Sequence, residues 1–266
     1  MTNNDDTTNT DGRELRRGWT TGACATAAAK AAYIGLLTGE IPSEIEIVLP
    51  GGQKPVFQII DAKINGDSAM AAIEKDAGDD PDITHGAIIR VWVRKGEGVG
   101  FKAGSGVGTI TKPGLPLEVG EPAINPAPRQ MITDNLQNAA DCEGVELAAE
   151  IEISVDDGEA LAANTWNPRL GILGGLSILG TTGIVIPYSC SAWIASIQLG
   201  IDVARATNID HVAACTGKIS EKAVTRLYGF EPSAILDMGD FAGGTLKYLR
   251  SHPIPKVSIA SGFGKL

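Results

Sequence analysis

An alanine-dense run that begins after Thr20-Thr-Gly22 constrains the fold more than any other feature of this sequence. Alanine is the best helix former, and it is the commonest residue from here to Gly39. Thr20 or Thr21 can cap the start of a helix, and Gly39 fits a C-terminal stop. The run therefore predicts a helix from about Gly22 to Gly39, and its small side chains allow another backbone or a ligand to come close.

The composition is that of a globular protein and argues against two classes of partner. Of the 266 residues, 43% are hydrophobic and 20% are charged, and the formal net charge is −10. Phosphate contacts need clustered lysine and arginine, so this charge argues against nucleic-acid binding and against docking to an anionic membrane. No apolar run approaches the roughly 20 residues that a membrane helix needs.

The amino terminus and the cysteines indicate a cytoplasmic protein. Residues 1–12 are polar and lack the basic-then-apolar order of a signal peptide, so we predict a disordered tail over residues 1–14. The four cysteines are far apart and form no Cys-x-x-Cys pair. This pattern predicts reduced thiols without structural zinc.

Apolar patterning predicts a sheet in the first half of the chain. The segments 44–49 and 56–60 flank Pro50-Gly-Gly52, which predicts a β-hairpin. Residues 87–93 form a further strand, whereas residues 68–75 fit either a helix or a strand.

A long segment rich in glycine and proline, residues 96–128, separates the two halves. Such a loop in a compact protein is usually functional or a linker, so we place a boundary between a domain over residues 15–130 and one over residues 131–266. In the second half, predicted strands alternate with helical segments: strands over 147–155, 212–215 and 257–260, and a helix over about 191–199. That alternation predicts βαβ units, so the expected fold class is α/β (α+β) with two domains.

Thr20-Thr-Gly22 lies where a helix is predicted to begin, and it has two interpretations. Exposed N–H groups and the positive end of the helix dipole form a seat for a carboxylate or a phosphate. The alternative is that these residues only cap the helix.

The acidic segment Lys75-Asp-Ala-Gly-Asp-Asp-Pro-Asp-Ile-Thr-His-Gly86 also has two interpretations. Its aspartates could hold a cation, but their spacing does not fit an EF-hand and no glutamate closes the loop. We favour an acidic turn in which aspartate side chains cap backbone groups. His85 and Asp76 are candidates for a general acid or base, and the alternative for His85 is a hydrogen-bonded structural role.

A glycine triplet in Gly104-Ser-Gly-Val-Gly108 follows a strand, as in a dinucleotide-binding loop. Pro113 and Pro116 forbid the helix that such a loop needs, so a Rossmann site fits poorly. Two interpretations stay open. One is a rigid loop that presents N–H groups to an anion, with Lys112 and Arg129 nearby, and the other is a stiff linker between domains.

Glycines recur through the apolar stretch over residues 167–185, which contains Gly180-Thr-Thr-Gly183. The backbone there can pack against a flat organic ligand, and the threonine hydroxyls can hydrogen-bond to it. No Gly-Lys-Ser/Thr closes a phosphate-binding loop. The alternative is close packing of a strand against a helix through glycine.

Together these stretches resemble the cobalt-precorrin-5B C1-methyltransferase (CbiD) family, in the family's order from about Leu15 onward. The matching strings are Thr20-Thr-Gly-Ala-Cys24, Lys75-Asp-Ala-Gly-Asp-Asp-Pro-Asp82 with Thr84-His-Gly86, Gly120-Glu-Pro-Ala-Ile-Asn-Pro126, and Asn167-Pro-Arg-Leu-Gly-Ile-Leu-Gly-Gly175 through Gly180-Thr-Thr-Gly-Ile184. Long strings in the correct order are far more specific than any single glycine motif.

The resemblance implies a fold and a reaction. It implies two α/β domains, the first similar to the second domain of ribosomal protein S5 and the second a βαβ-type layer. The implied reaction transfers a methyl group from S-adenosylmethionine to C1 of cobalt-precorrin-5B, giving cobalt-precorrin-6A in anaerobic cobalamin biosynthesis. The cobalt arrives with the tetrapyrrole substrate, so no protein-bound metal is expected.

The implied reaction also suggests roles for the matched loops. Methyl transfer from a sulfonium needs alignment of donor and acceptor, and a tetrapyrrole with several carboxylates needs local basic residues. The expected substrate-binding residues are Thr20, Thr21, Gly22, Lys112, Arg129 and Arg169, with Arg16 and Arg17 as further basic candidates. The alternative for Arg16 and Arg17 is a solvated tail. The expected donor-binding residues are Gly171, Gly174, Gly175, Gly180, Thr181, Thr182 and Gly183.

Three alternatives stay open: a non-catalytic corrinoid-binding protein, a phosphate-binding, kinase-like enzyme, and a structural domain, which would leave the loop glycines unexplained. The resembled family also continues beyond the position of Leu266. There a further helix would cover the strand over residues 257–260, which we expect to be buried. An uncovered apolar face on that strand predicts either a homo-oligomer that forms through this face or a lower stability than that of a full-length relative.

Overall fold

The computed structural model describes residues 14–262 and residue 264. The predicted disordered tail therefore lies outside the described residues, apart from Glu14. Within the described chain, no helix is long and apolar enough to cross a membrane.

The chain divides into two compact units, which confirms a two-domain α+β fold. The first unit takes the residues up to 109 together with 121–165 and 173–188, and the second takes 110–120, 166–172 and the residues from 189 onward. The units therefore do not divide after residue 130, where we predicted the boundary. The likeness of the first domain to ribosomal protein S5 stays a prediction.

The described residues contain six α-helices, one short 3-10 helix over Pro232–Ala234, and sixteen strands. The helices are α1 Thr21–Thr38, α2 Pro126–Glu143, α3 Gly158–Ala162, α4 Cys190–Ala206, α5 Lys218–Tyr228 and α6 Ala242–Ser251. The strands are β1 Gly18–Trp19, β2 Glu44–Glu46, β3 Val56–Gln58, β4 Asp61–Asn65, β5 Ser68–Glu74, β6 Ile88–Lys95, β7 Val99–Ala103, β8 Gly106–Val107, β9 Thr109–Ile110, β10 Ala149–Val155, β11 Ile172–Leu173, β12 Gly175–Leu176, β13 Ile184–Val185, β14 His211–Cys215, β15 Ile235–Asp237 and β16 Lys256–Ala260.

Helix α1 confirms the prediction from the alanine-dense run. Thr20 caps its start, and Gly39 ends it in the left-handed conformation with φ 84°. Its alanines from Ala23 to Ala32 are fully buried against α2, β5 and β6. Because these side chains are methyl groups, the helix can lie close to the sheet without cavities.

The first unit is built on a five-stranded sheet in the order β4-β5-β6-β10-β7, antiparallel except between β10 and β7. Strand β10 alternates buried and half-buried residues, so Ile151 and Ile153 face the core. Strands β2 and β3 form the predicted hairpin. Residues 68–75, which fitted two structures, form a strand because they pair along their length with β6.

The segment 96–128 is not the continuous loop that we predicted. It contains strands β7, β8 and β9, and α2 already begins at Pro126. Proline suits the first turn of a helix because its missing N–H would have no partner there. Strands this short and rich in glycine lack the apolar alternation from which a sequence predicts a strand.

The second unit has a three-stranded parallel sheet in the order β15-β14-β16, which confirms the predicted βαβ units. Helices α4 and α6 pack on one face around Val212, and α5 packs around Ala213. Successive side chains of a strand point to opposite faces, so the helices cover both sides of the sheet. The predicted helix over 191–199 is longer and reaches Ala206.

Strand β16 lies at the edge of the sheet and is only partly buried. Ile259 is 53% exposed, which agrees with the uncovered apolar face that we expected on this strand. Val257, in contrast, packs against the core on the side of α4 and α6. The homo-oligomer stays a prediction.

Candidate functional site

The N-terminus of α1 binds the glycine loop that follows β12. The Gly22 N–H donates to the Leu179 carbonyl oxygen at 2.9 Å, and the Thr20 N–H donates to the Gly183 carbonyl oxygen at 3.0 Å. The Ala23 N–H donates to Thr20 Oγ1 at 3.1 Å. These N–H groups, which we expected to bind an anion, therefore donate to acceptors within the first unit. Thr20 caps the helix, as the alternative interpretation predicts.

Close packing explains most glycines of the stretch over residues 171–183. A Cβ at Gly180 would lie 2.3 Å from Thr20 Oγ1, and a Cβ at Gly175 would lie 2.2 Å from the Gly106 backbone. A Cβ at Gly183 would lie 2.6 Å from Leu49 Cδ2. These contacts favour the packing interpretation that we had weighed as the alternative.

The remaining members of the predicted donor set are spread over both units. Gly174, Thr181 and Thr182 are exposed residues of the first unit. Gly171 is buried in the second unit, where a Cβ would lie 2.5 Å from Lys112 Cγ. Donor binding by this set stays a prediction.

Residues 16–19 form backbone hydrogen bonds with the acidic turn over residues 75–86. The Trp19 N–H donates to the Asp76 carbonyl oxygen at 2.7 Å, and the Asp79 N–H donates to the Arg16 carbonyl oxygen at 2.9 Å. The Arg16 guanidinium also binds the Asp76 carboxylate through both terminal nitrogens. Arg16 is thus not part of a solvated tail, and its hydrogen bonds lower the pKa of Asp76 to about 2.

The aspartates of the acidic turn accept hydrogen bonds from backbone N–H groups, which confirms the favoured interpretation of this segment. The pairs are Asp76 with Gly78 at 2.9 Å, Asp79 with Arg16 at 2.7 Å, Asp80 with Tyr188 at 2.8 Å and Asp82 with Thr84 at 2.7 Å. Among the described residues no group of histidine, cysteine, aspartate and glutamate is arranged to hold a metal ion.

Lys75 is a buried charge that sequence reasoning missed. Its side chain is 1% exposed, and its Nζ donates to Asp82 Oδ2 at 2.7 Å. Burial alone would raise the pKa of Asp82, but the Lys75 ammonium and the bonds from Thr84 outweigh it and lower that pKa. A lysine directly after an otherwise apolar strand was the signal that could have predicted this pair.

His85 accepts a hydrogen bond that restricts its chemistry. The Ala77 N–H donates to His85 Nδ1 at 3.1 Å, so the neutral ring carries its proton on Nε2. Asp76 Oδ1 lies 3.8 Å from the same Nδ1, beyond hydrogen-bond distance. In this tautomer the half-exposed ring offers a donor at Nε2 and no free base. Catalysis by His85 or Asp76 stays a prediction.

The two arginines predicted to bind substrate carboxylates already bind protein oxygens. In the first unit, Arg129 donates to the Ile124 carbonyl oxygen at 2.7 Å and to Glu121 Oε1 at 3.1 Å. In the second unit, Arg169 makes two parallel bonds to Glu221, at 2.9 and 2.8 Å. Both guanidiniums therefore stabilise their own unit, which the sequence around Arg129 and Arg169 did not reveal.

Lys112 lines a cavity of about 490 Å³ in the second unit. Its wall includes His211, Tyr228 and Phe230, whose rings pack edge to face or tilted against one another. His211 is the first residue of β14, so the cavity lies at the amino edge of the parallel sheet. Thr20, Thr21, Gly22 and Arg129 belong to the first unit and Lys112 and Arg169 to the second, and substrate binding by this set stays a prediction.

The carboxyl edge of the same sheet gathers polar residues that sequence reasoning also missed. Asp237 ends β15, and Thr216-Gly217 and Ser261-Gly262 follow β14 and β16. The Thr216 N–H donates to the Ala260 carbonyl oxygen at 3.0 Å. Only the order of the three strands reveals that these positions share one edge.

Fold and site together define a two-domain α/β protein with a parallel βαβ layer, an architecture that binds small molecules at the carboxyl ends of its strands. A family model described as CbiD matches residues 8–187. The chain therefore belongs to the CbiD family.

Individual relatives agree with this assignment. The chain is 57% identical to a protein of Bradyrhizobium sp. named "Cobalt-precorrin-5B C(1)-methyltransferase", over 96% of this chain and 68% of the relative. It is 60% identical to a protein of the same name from Paramagnetospirillum magneticum, over 96% of this chain and 72% of the relative. A crystal structure of the cobalamin biosynthesis protein cbiD from Archaeoglobus fulgidus superposes with a TM-score of 0.53 at 28% identity, covering 95% of this chain and 78% of that one.

Proposed function

We propose that this chain is a methyltransferase of cobalamin biosynthesis that moves a methyl group from S-adenosylmethionine to C1 of cobalt-precorrin-5B, giving cobalt-precorrin-6A. The observation that carries the proposal is the name shared by relatives that are 57–60% identical over nearly the whole chain. That name favours a methyltransferase over the corrinoid-binding and kinase-like alternatives.

The proposed reaction asks for alignment rather than for a protein nucleophile. Carbon C1 of the ring supplies the electron pair of the new carbon–carbon bond. The methyl–sulfur bond breaks as it forms, and sulfur keeps the bonding pair in S-adenosylhomocysteine. Holding the two reactants in line converts a bimolecular encounter into a step within one complex.

The state of the buried cysteines agrees with this chemistry. Burial raises the pKa of Cys24 to about 12 and that of Cys215 to about 11. Both thiols are therefore protonated at neutral pH, and only a thiolate is a strong nucleophile. Neither side chain is available for covalent catalysis, and the proposed reaction needs none.

In this proposal the residues of the matched loops mainly hold neighbouring segments in position and do not take part in the chemical step. Thr20 and Gly22 hold the loop over residues 179–183, and Arg129 holds the loop before α2, so each fixes the position of a neighbouring exposed segment. Lys112 lines an open cavity, which suits it to meet a substrate carboxylate.

Anaerobic incubation with cobalt-precorrin-5B and S-adenosylmethionine, followed by mass spectrometry, tests the proposal. We expect a product heavier by one methyl group and an equal amount of S-adenosylhomocysteine. Replacing S-adenosylmethionine by S-adenosylhomocysteine is the control and should leave the substrate unchanged. A tetrapyrrole that binds but keeps its mass would favour the corrinoid-binding alternative, and ATP turnover would favour the kinase-like one.

A further inference from the structure

We propose that S-adenosylmethionine binds at the carboxyl edge of the parallel sheet in the second unit, where the Asp237 carboxylate accepts hydrogen bonds from the ribose hydroxyls. The inference rests on the proposed function and names the place where its donor binds. It moves the donor away from the stretch over residues 171–183 that the sequence favoured.

The order of the strands points to this edge. Strand β14 is central, the chain passes through α5 to β15 on one side, and it then passes through α6 to β16 on the other side. The connections therefore change direction between β14 and β16. In open parallel sheets, ligands bind outside the carboxyl ends of the strands at such a switch point.

The loops at the switch point are open. Among the described residues, no atom lies within 4 Å of the position that a Cβ would take at Gly217 or at Gly262, so packing against them does not explain these two glycines. The loops are also joined, because the Gly262 N–H donates to Thr216 Oγ1 at 3.4 Å and the Thr216 N–H donates to the Ala260 carbonyl oxygen. A ligand can therefore approach the backbone of these two loops closely, because no side chain of the described residues covers Gly217 or Gly262 and the hydrogen bonds hold the loops together.

Asp237 stands where a ribose-binding carboxylate is needed. It is the last residue of the second strand, β15, and it follows Gly217 of the first strand-to-helix turn by twenty residues. Folds that bind adenosine cofactors place an acidic residue about 20 residues beyond that turn, on the ribose hydroxyls. Asp237 is half-buried, and burial followed by the nearby Glu221 raises its pKa.

The charged groups near α5 are mostly paired with one another. Both terminal nitrogens of Arg169 donate to the Glu221 carboxylate in the first turn of α5, so these two charges offset each other, while Lys218 begins the helix. The half-buried Asp237 carboxylate adds a negative charge at this edge, which attracts a cationic ligand and repels a phosphate. S-adenosylmethionine carries a sulfonium and an ammonium group beside its single carboxylate, whereas a nucleotide would bring two or three phosphates.

The exposed indole ring of Trp193 lies next to Asp237 at this edge of the sheet. Trp193 is 43% exposed, and its Nε1 donates to the Asp237 carbonyl oxygen at 3.1 Å. The ring also packs edge to face against Trp166, with centroids 6.0 Å apart. Adenine can stack on such an indole face next to the ribose-binding carboxylate.

Calorimetric titration of the whole chain tests the placement, with S-adenosylmethionine and S-adenosylhomocysteine as the probes. Asp237→Asn should weaken both by about tenfold or more, because it replaces a charged acceptor by a neutral one. The matched control is Asp210→Asn, which removes the same charge from an exposed residue just before β14, at the opposite edge of the same sheet. Circular dichroism and the melting temperature verify the fold of each variant.

The outcomes separate this inference from the proposed function. If the unaltered chain binds neither probe, both fail. If it binds them and Asp237→Asn binds equally well, or if Gly174→Ala weakens binding while Asp237→Asn does not, only the placement is overturned. Tighter binding of ATP than of S-adenosylmethionine would also overturn it.

Tryptophan fluorescence gives a second test of the placement, which does not depend on whether the Asp237→Asn variant folds. Binding at this edge should quench the tryptophan fluorescence of the unaltered chain, and Trp193→Phe should remove most of that quenching. Quenching that survives in Trp193→Phe would contradict the placement.

Discussion

At the scale of single residues, glycines set how closely the loops of the first unit approach one another. Gly180 passes Thr20 so closely that a Cβ would overlap its side chain, and Gly175 does the same to the Gly106 backbone. Gly174, one residue earlier, has open space around its Cβ position. Gly180 and Gly175 are therefore needed because other atoms lie too close for a side chain, whereas Gly174 is needed only for its backbone conformation.

This difference predicts unequal costs for the same substitution. Both Gly180 (φ 123°) and Gly174 (φ 85°) have a positive φ, so alanine is strained at each by about 1–3 kcal/mol. Gly180→Ala also overlaps Thr20, which adds about 1–3 kcal/mol. Chemical denaturation should therefore give a lower free energy of unfolding for Gly180→Ala than for Gly174→Ala. Equal values would mean that the loop over residues 179–183 can move away from α1.

At the scale of elements, the acidic turn over residues 75–86 anchors the entry to α1. Trp19 bonds to its backbone, Arg16 bonds to its carboxylates, and the Lys75 ammonium fixes Asp82 inside it. The turn is therefore stabilised by charge, and its stability must depend on pH.

Asp76 gives this dependence a defined direction. Its pKa falls from the ordinary 3.8 to about 2 in the folded chain, chiefly because of the hydrogen bonds from Arg16. A lowered carboxyl pKa contributes stability that is present above pH 3.8 and is lost as the pH falls toward 2. Thermal unfolding from pH 7 to pH 2 should show Asp76→Asn less stable at neutral pH, with the difference shrinking below pH 4. A difference independent of pH would show that Arg16 does not pair with Asp76 in solution.

The pair formed by Arg169 and Glu221 should behave as one unit. Glu221 is only 14% exposed, so Arg169→Ala leaves a largely buried carboxylate without its main partner. A double-mutant cycle with Glu221→Ala should give a coupling energy of about 1–2 kcal/mol. The exposed pair of Lys54 and Glu46, 3.8 Å apart, is the matched control and should couple by less than about 0.5 kcal/mol. Similar couplings for the two pairs would contradict the bidentate geometry of Arg169.

At the scale of the whole molecule, sequence reasoning predicted what depends on local pattern. Helix α1 with its caps, the hairpin of β2 and β3 and the βαβ units follow from spacing of alanine, glycine and apolar residues. The caps by Asp76 and Asp82 followed from the same local chemistry, because each accepts from the backbone N–H two residues further on, whereas Asp79 and Asp80 accept from the distant Arg16 and Tyr188.

What the sequence did not predict depends on residues distant along the chain. The partners of Arg16 and Arg169 lie 60 and 52 residues away, so no local pattern reveals that these guanidiniums are engaged. The carboxyl edge with Asp237 was missed for the same reason, because it exists only once β15, β14 and β16 are placed side by side. The two domains were predicted, but a single boundary after residue 130 does not describe them, because the chain passes between the two units several times.

The position of the transferred methyl group tests the central claim most directly. The chain would be incubated anaerobically with cobalt-precorrin-5B and with S-adenosylmethionine labelled isotopically in its methyl group, and the product examined by nuclear magnetic resonance. The account predicts a single labelled methyl resonance on ring carbon C1. Label at another carbon, or label that remains in S-adenosylmethionine while the tetrapyrrole is bound, would contradict it.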